Sequence, residues 1–517
     1  MKRLIFIVIL LFAVVKVEAS ISLSVKESDR NFFSKEQIEC TLFICNDTLE
    51  ANNIIVKWKT SVFSAVIQEG EEKIELGELE GKAVQITLEM PEVKHRSPFV
   101  LKVQIICDEK LEVEKQWDYS VFPENISDTI KNILKNKEIG VFDSPGKIKQ
   151  IFNEYEIPFT SLTNQLSTQT FEGDLIIIGP EENARQLINI LPILKDKTTE
   201  GISVISFQKE WDIEDQFLIS LTNISTQPLE IKKIEILSPD HPVFTELNEN
   251  DLSNWREDEV VTNFPLIKPI KGNFRILAEA EFSTSALSEV ILGEGKFIFC
   301  QLQVIDKFQS EPIAQTLFAN LIRYALIKQE PLQSAVIYGN PETGIMEILN
   351  SLSVAKDTTG DSNFVIACID EDSEEFIKKL QTQASSHIKE ITKNGGLILI
   401  FATFPDAVVL LGIKEDIKRM KIAPLGQQRI YYRHEEIIAL DNSSPLLWGI
   451  SEDESNLLMK RGKMFKLQFG NADVVICQSL FNEVDPVSIR TMSQLITNFG
   501  IKIEKDVVNE NGEANIE

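Results

Sequence analysis

"GKFIFCQLQVIDKFQSEPIAQTLFANLIRYAL" at Gly295–Leu326 and "NADVVICQSLFNEVDPVSIRTMSQLITNFG" at Asn471–Gly500 follow one plan. Each has an apolar run ending in Cys-Gln, a polar stretch, and a proline that opens a segment with apolar residues at helical spacing. With the prolines aligned, Pro312 answers to Pro486, Leu321 to Leu495 and Ile322 to Ile496. A buried strand leading into a helix closes an α/β layer, so the repetition predicts two copies of one α/β unit.

The text upstream of each segment repeats in the same order. "IGVFDSPG" (Ile139–Gly146) is answered by "SAVIYGNPE" (Ser334–Glu342), and the helical stripe Ile148, Ile151, Phe152, Tyr155 by Ile345, Ile348, Leu349, Leu352. "DLIIIGPEE" then matches "NFVIACIDED", "GISVISFQKE" matches "GGLILIFATF", and "DHPVFTEL" matches "SSPLLWGI", setting Pro242 against Pro445. Strands alternating with helices predict a parallel sheet covered on both faces. The copies are expected over residues 138–330 and 331–505, with a linker at 124–137.

The start of the chain has a different grammar. "MKRLIFIVILLFAVVKVEAS" places Lys2 and Arg3 before an apolar run from Leu4 to Val15, with Val17 and Ala19 at small-residue positions. This predicts a cleaved signal peptide over 1–19 and a secreted or periplasmic protein with no membrane span after cleavage. From 20 to 123, "QIECTLFIC", "NNIIVKWKT", "AVQITLEM", "FVLKVQIIC" and "KQWDYSVF" alternate in polarity between turn-forming clusters, which predicts an immunoglobulin-like β-sandwich. Residues 506–517 are acidic and polar and are expected to be disordered.

The formal net charge of −27 would repel nucleic acid, so that partner class is excluded. The four cysteines Cys107, Cys300, Cys368 and Cys477 end or sit in apolar runs, where a thiol acts as a small core residue. A bridge among Cys40, Cys45 and Cys107 is the open alternative that export permits. No CxxC, histidine cluster or DxDxDG loop suggests a metal, and no cofactor is expected.

The mid-domain "SPDHPVFTEL", "LSNW" (Leu252–Trp255), "FRILAEA" (Phe274–Ala280) and "GEGKFIFCQL" before "NLIRY" together resemble the class I glutamine amidotransferase-like superfamily. More narrowly they are similar to the versions appended to bacterial glycoside hydrolases and β-galactosidases, and the sandwich is similar to modules of family 2 glycosidases. The resemblance implies a Cys nucleophile on a tight turn after the third strand, with His and Glu downstream. Here that turn reads "SVISFQKEW" and "LILIFATFPD", with Ser206 in the first and neither Cys nor Ser in the second. Cys300 and Cys477 recur but no histidine recurs with them, and His241 is matched by Ser444, so the repeated feature there is the proline turn.

These readings lead to a non-catalytic secreted protein with degenerate amidotransferase-like domains, serving binding or assembly and associated with carbohydrate or another envelope protein. The alternatives are a carbohydrate hydrolase and a structural interaction module of the cell envelope. No catalytic residue is assigned. A binding cleft is expected at the carboxyl edges of the sheets, at Asp143, Ser144, Gly179 and Ser206 in the first copy and Gly339, Asn340, Ile369 and Ala402 in the second. Trp211, Trp255, Tyr431, Tyr432 and Trp448 are the aromatics that could stack on sugar if they line a groove.

Overall fold

The computed structural model describes residues 21–26, 30–182, 184–210, 212–213, 224–281, 284–340, 344–369, 374–402, 430–432, 435–439, 444–451, 464–477 and 484–504. The expected signal peptide and acidic tail, along with Trp211 and His434, lie outside these residues. The chain divides into two compact units, Met1–Asn125 and Ile126–Glu517.

The first unit is a β-sandwich. Strands β1 (Ile21–Val25), β3 (Gln37–Asn46) and β6 (Gly81–Glu89) form one sheet in the order β1-β3-β6. The other sheet runs β2-β8-β7-β4-β5, from Asn31–Phe33, Lys110–Phe122, Ser97–Cys107, Asn52–Val62 and Ala65–Leu76. Chain neighbours β3 and β4, and again β6 and β7, fall in opposite sheets, as in an immunoglobulin-like Greek key. Alternation drives the assembly: Cys40, Leu42 and Ile44 turn inward to meet Ile54, Val56, Leu101, Val103 and Ile105 in one core.

The second unit holds two sheets of matching strand order. In the first, Ile139–Phe142, Leu175–Ile178, Ser203–Phe207 and Gly295–Cys300 are neighbours in that order and parallel. In the second, Val336–Tyr338, Phe364–Ile369, Gly396–Ala402 and Ala472–Cys477 do the same. Row by row, Phe142, Ile178, Ser206 and Phe299 stand side by side, as do Tyr338, Ala367, Ile400 and Ile476. The inner strands are buried on both faces, and the edge strand Val336–Tyr338 is half-buried. Val365, Ala367 and Ile369 pack under the helix Glu374–Asn394, while Ile366 and Cys368 pack under Gly344–Ser351 and Pro486–Asn498.

The expectation of purely parallel sheets is corrected: each sheet continues into antiparallel strands. Thr284–Leu292 returns against Gly295–Cys300 across a two-residue loop, and Met464–Phe469 returns against Ala472–Cys477 in the same way. Gly293 and Gly470 begin these loops at φ +57° and +63°. A side chain at either would strike the end of a helix, within 2.2 Å of the Thr199 carbonyl in one copy and 2.5 Å of the Thr392 carbonyl in the other. Glycine therefore serves both the turn and the close approach. The expected linker includes a short helix, Ser127–Ile133, with Ile130 buried.

The closing helices start alike. Glu311 accepts the Ile313 amide ahead of the helix Pro312–Ala325, and Asp485 accepts those of Val487 and Ser488 ahead of Pro486–Asn498. The second of these helices also covers the first copy's strand Phe274–Ala280. Ser493 Oγ bridges the amide and carbonyl of Gly272 at 2.9 and 2.8 Å, Gln494 Oε1 accepts the Ile276 amide at 3.0 Å, and Arg275 Nε donates to Asn498 Oδ1 at 2.7 Å. From elsewhere in the second copy, the Gly449 amide donates to Ser238 Oγ at 2.9 Å. Strand edges left bare invite stray pairing; here the second copy supplies the donors and acceptors.

Candidate functional site

In the first sheet a further parallel strand, Thr160–Leu162, pairs with the far side of Ile139–Phe142, so strand order reverses between Ile139–Phe142 and Leu175–Ile178 and the switch point lies where Asp143 and Gly179 leave those strands. Asp143 is buried, and its carboxylate accepts the amides of Gly146, Ile148 and Lys149 at 3.1, 2.8 and 3.1 Å. It thereby satisfies the amino end of the helix Lys147–Glu154 and places a negative charge against that helix dipole. Gly179 lies so close that a Cβ would sit 2.3 Å from Asp143 Oδ1.

Lys209 reaches this point from the end of the third strand. Its Nζ donates to the Gly179 carbonyl at 2.8 Å. Burial pushes the ammonium pKa down to about 7, opposed by the pull of the Glu182 and Asp143 carboxylates. Glu182 in turn accepts both the backbone amide and, at 3.1 Å, the hydroxyl of Ser144. Gln301, the partner of Cys300 in the repeated Cys-Gln pair, receives the Lys209 amide at 3.2 Å and donates to the Lys209 and Phe264 carbonyls at 2.8 and 2.7 Å.

Of the expected cleft residues, Asp143, Ser144 and Gly179 thus meet, and the chain adds Glu182, Lys209 and Gln301. Ser206 is buried in the adjoining strand, and its hydroxyl has no hydrogen-bond partner among the described residues. The Gln208 side-chain carbonyl oxygen is in the same position. A lysine near neutrality can act as a base or nucleophile, yet this one is enclosed and its tip is held by Gly179. The cluster ties together the loops that follow three strands.

Among the described residues, the second copy has no carboxylate at the position of Asp143. By the strand rows, Gly339 stands where Asp143 does, Cys368 where Gly179 does and Ile400 where Ser206 does. Asn340 follows Gly339 as Ser144 follows Asp143. Ile369 and Ala402 stand side by side, one position past Cys368 and two past Ile400. The expectation for Ile369 is corrected: it packs into the core with Leu380, Ala384 and Ile388, because residues 365–369 of its strand are all buried from one side or the other.

The recurring cysteines are core residues. Cys300 is fully buried, which pushes its thiol up to about 12, far from the thiolate a nucleophile needs. All six cysteines are thiols, Cys40, Cys45 and Cys107 included. Trp255 is buried and donates to the Asp251 carbonyl at 2.8 Å, so it lines no groove. Trp448 packs edge-on against His241 with ring centroids 4.5 Å apart.

No protein-family model matches the sequence, and no curated protein matches it. Solved structures match it over small parts. α2-Macroglobulin from Escherichia coli, in the stretch from domain MG7 to the C-terminus, is 18% identical over 20% of this chain and 17% of that chain, with a TM-score of 0.17. The CARDB domain of the PF1109 protein from Pyrococcus furiosus is 11% identical over 20% of this chain and 93% of that one, with a TM-score of 0.16. β-Glucosidase from Listeria innocua is 15% identical over 20% of this chain and 16% of that one, with a TM-score of 0.17. The chain therefore spans under a fifth of the α2-macroglobulin and β-glucosidase chains, and likeness of this extent carries nothing about activity.

Proposed function

We propose that the chain is an exported, non-catalytic binding or assembly protein, associated with carbohydrate, whose two α/β copies are degenerate amidotransferase-like domains. The observation that supports this most directly is the filled switch point. In ligand-binding α/β domains the helix amino end at that point offers its amides to an anion. Here Asp143 takes three of those amides, and Lys209 is bonded to Gly179. The third-strand turn, where an amidotransferase carries its cysteine, holds Phe207, Gln208 and Lys209. A purely structural role is the second reading, favoured by the polar side chains that the two copies direct at each other.

The test is saturation-transfer NMR on the purified full chain with a panel of plant and microbial oligosaccharides, recorded at once and after a day. Transfer without new anomeric signals supports the proposal. New reducing ends that vanish with heat-killed protein make the chain a hydrolase and overturn it, and silence across the panel favours the structural reading.

A further inference from the structure

We propose that the contact between the two α/β copies holds a small monovalent anion of the halide class, received by N–H donors that come from both copies. The site lies inside the second unit and is independent of the carbohydrate reading.

Side chains of both copies converge here and leave polar atoms unused. The Trp448 ring packs on His241, and the Trp448 carbonyl accepts Asn498 Nδ2 at 2.7 Å. Asn498 also receives Arg275 Nε, and Gln494, one turn earlier on the same helix, receives the Ile276 amide. Three nitrogens at this place, His241 Nε2, Trp448 Nε1 and Gln494 Nε2, are buried with no hydrogen-bond partner among the described residues, and so is the Thr497 hydroxyl. His241, Gln494 and Thr497 are each at most 1% exposed. His241 Nε2 is a donor because Nδ1 accepts the Val243 amide, which leaves the proton of the neutral ring on the other nitrogen. Against these donors stands one unpartnered acceptor, Glu289 Oε2, and the Tyr324 hydroxyl acts on it from beside.

The charges lean the same way. Arg275 and Glu289 pair at 2.8 Å and cancel, which leaves Lys296. Its ammonium is buried, bonded to the Tyr324 carbonyl at 3.2 Å and 3.8 Å from the centre of the Tyr324 ring, and it makes no ion pair among the described residues. Glu289 is the carboxylate that acts on both His241 and Lys296, and Arg275 already holds it. The side chains that the second copy brings, Trp448, Gln494, Thr497 and Asn498, are all neutral. Unmade buried donors and an unpaired buried charge each destabilise the fold, and one anion relieves both. A water would satisfy donors but leave Lys296 uncompensated, and a divalent anion would exceed the single surplus charge.

The experiment is urea unfolding of the full chain at constant ionic strength as chloride replaces gluconate, an anion too large for the contact, together with crystals grown in bromide to locate the ion. Gluconate stabilises by exclusion from the surface, so a midpoint that rises with chloride against that trend and then levels off marks binding to the folded chain. Trp448→Phe removes one donor at a half-buried ring and should raise the half-saturating chloride roughly tenfold, and Lys296→Met removes the charge and should abolish the dependence. Bromide should give an anomalous peak within hydrogen-bond reach of His241 Nε2 and Trp448 Nε1, a result that decides the matter even where Lys296→Met does not fold. A midpoint indifferent to chloride, or no peak at the contact, overturns the proposal and leaves water as the partner of these donors. A chloride dependence undiminished in Trp448→Phe puts the anion elsewhere and overturns it too.

Discussion

His241 and Ser444 cap equivalent turns in the two copies: His241 Nδ1 accepts the Val243 amide at 3.3 Å, and Ser444 Oγ accepts the Leu446 amide at 3.4 Å. Both sit just before a proline that opens a short 3-10 helix, Pro242–Phe244 in one copy and Pro445–Leu447 in the other. Histidine and serine are interchangeable here because the turn needs one acceptor.

The imidazole does more than cap. Its ring packs edge-on to Tyr324 and Trp448, each with centroids 4.5 Å away, beside the buried Arg275–Glu289 pair and Lys296. Burial lowers its pKa from 6.5 to about 4, although Glu289 pulls the other way. The unfolded chain therefore takes up this proton first as pH falls. The stabilisation is complete above pH 6.5 and is lost between 6.5 and about 4, to the extent of about 3 kcal/mol. His241→Ser should keep the cap, lose some stability at pH 7, and lose less than the parent between pH 7 and 5 in urea unfolding. Identical pH dependence in the two proteins would sink the assignment.

The two copies come into close backbone contact at Gly449. Its φ is +79°, and a Cβ there would lie 2.7 Å from Gln494 Oε1 and 2.9 Å from both the amide nitrogen and carbonyl oxygen of Ile276. The Ile276 backbone belongs to a sheet and cannot retreat. Gly449→Ala should therefore cost about 2–4 kcal/mol and loosen the contact between copies. Hydrogen exchange over Phe274–Ala280 reads this directly, because the Ile276 amide is held by Gln494. Unchanged protection there would mean that the close approach is not what holds the copies together.

How much of this was legible in the sequence depends on the range of the interaction. Alternation in Gln37–Asn46 and the apolar runs of the parallel strands mark burial residue by residue, so the sandwich and the doubled α/β plan could be read. The strand Thr284–Leu292 is not legible because all its residues are buried and its text, "TSALSEVIL", has no alternation. Only half of the cluster at the switch point is legible. Asp143 and Gly179 follow visible strands, but Lys209 and Gln301 meet only because their strands are parallel neighbours 92 residues apart in the chain. The Cys-Gln repeat was the available signal for Gln301, and the lysine just past the third strand was the signal for Lys209.

Thiol chemistry separates a core cysteine from a nucleophile. Cys45 is exposed, whereas Cys300 is buried with its thiol raised to about 12. Brief iodoacetamide treatment of the folded chain at pH 8, followed by mass spectrometry, should label Cys45 first and leave Cys300 unmodified until denaturant is added. Rapid native labelling of Cys300 would reopen the question of a nucleophile.

Phe63 occupies a place where few sequences put it. It begins the two-residue loop between Asn52–Val62 and Ala65–Leu76, with φ +52° and 75% of its surface exposed. Positive φ in such loops belongs to Asn, Asp or Gly, and a bulky side chain there is strained by about 1–2 kcal/mol. So exposed a ring recovers little of that by packing. Phe63→Asn should therefore stabilise the sandwich by about 1 kcal/mol, seen as slower hydrogen exchange along both strands of the hairpin. A variant that exchanges faster would show that the ring's residual contacts outweigh its backbone strain. A stabilised variant that still loses a partner would instead explain why a strained, solvent-facing phenylalanine stands at the tip.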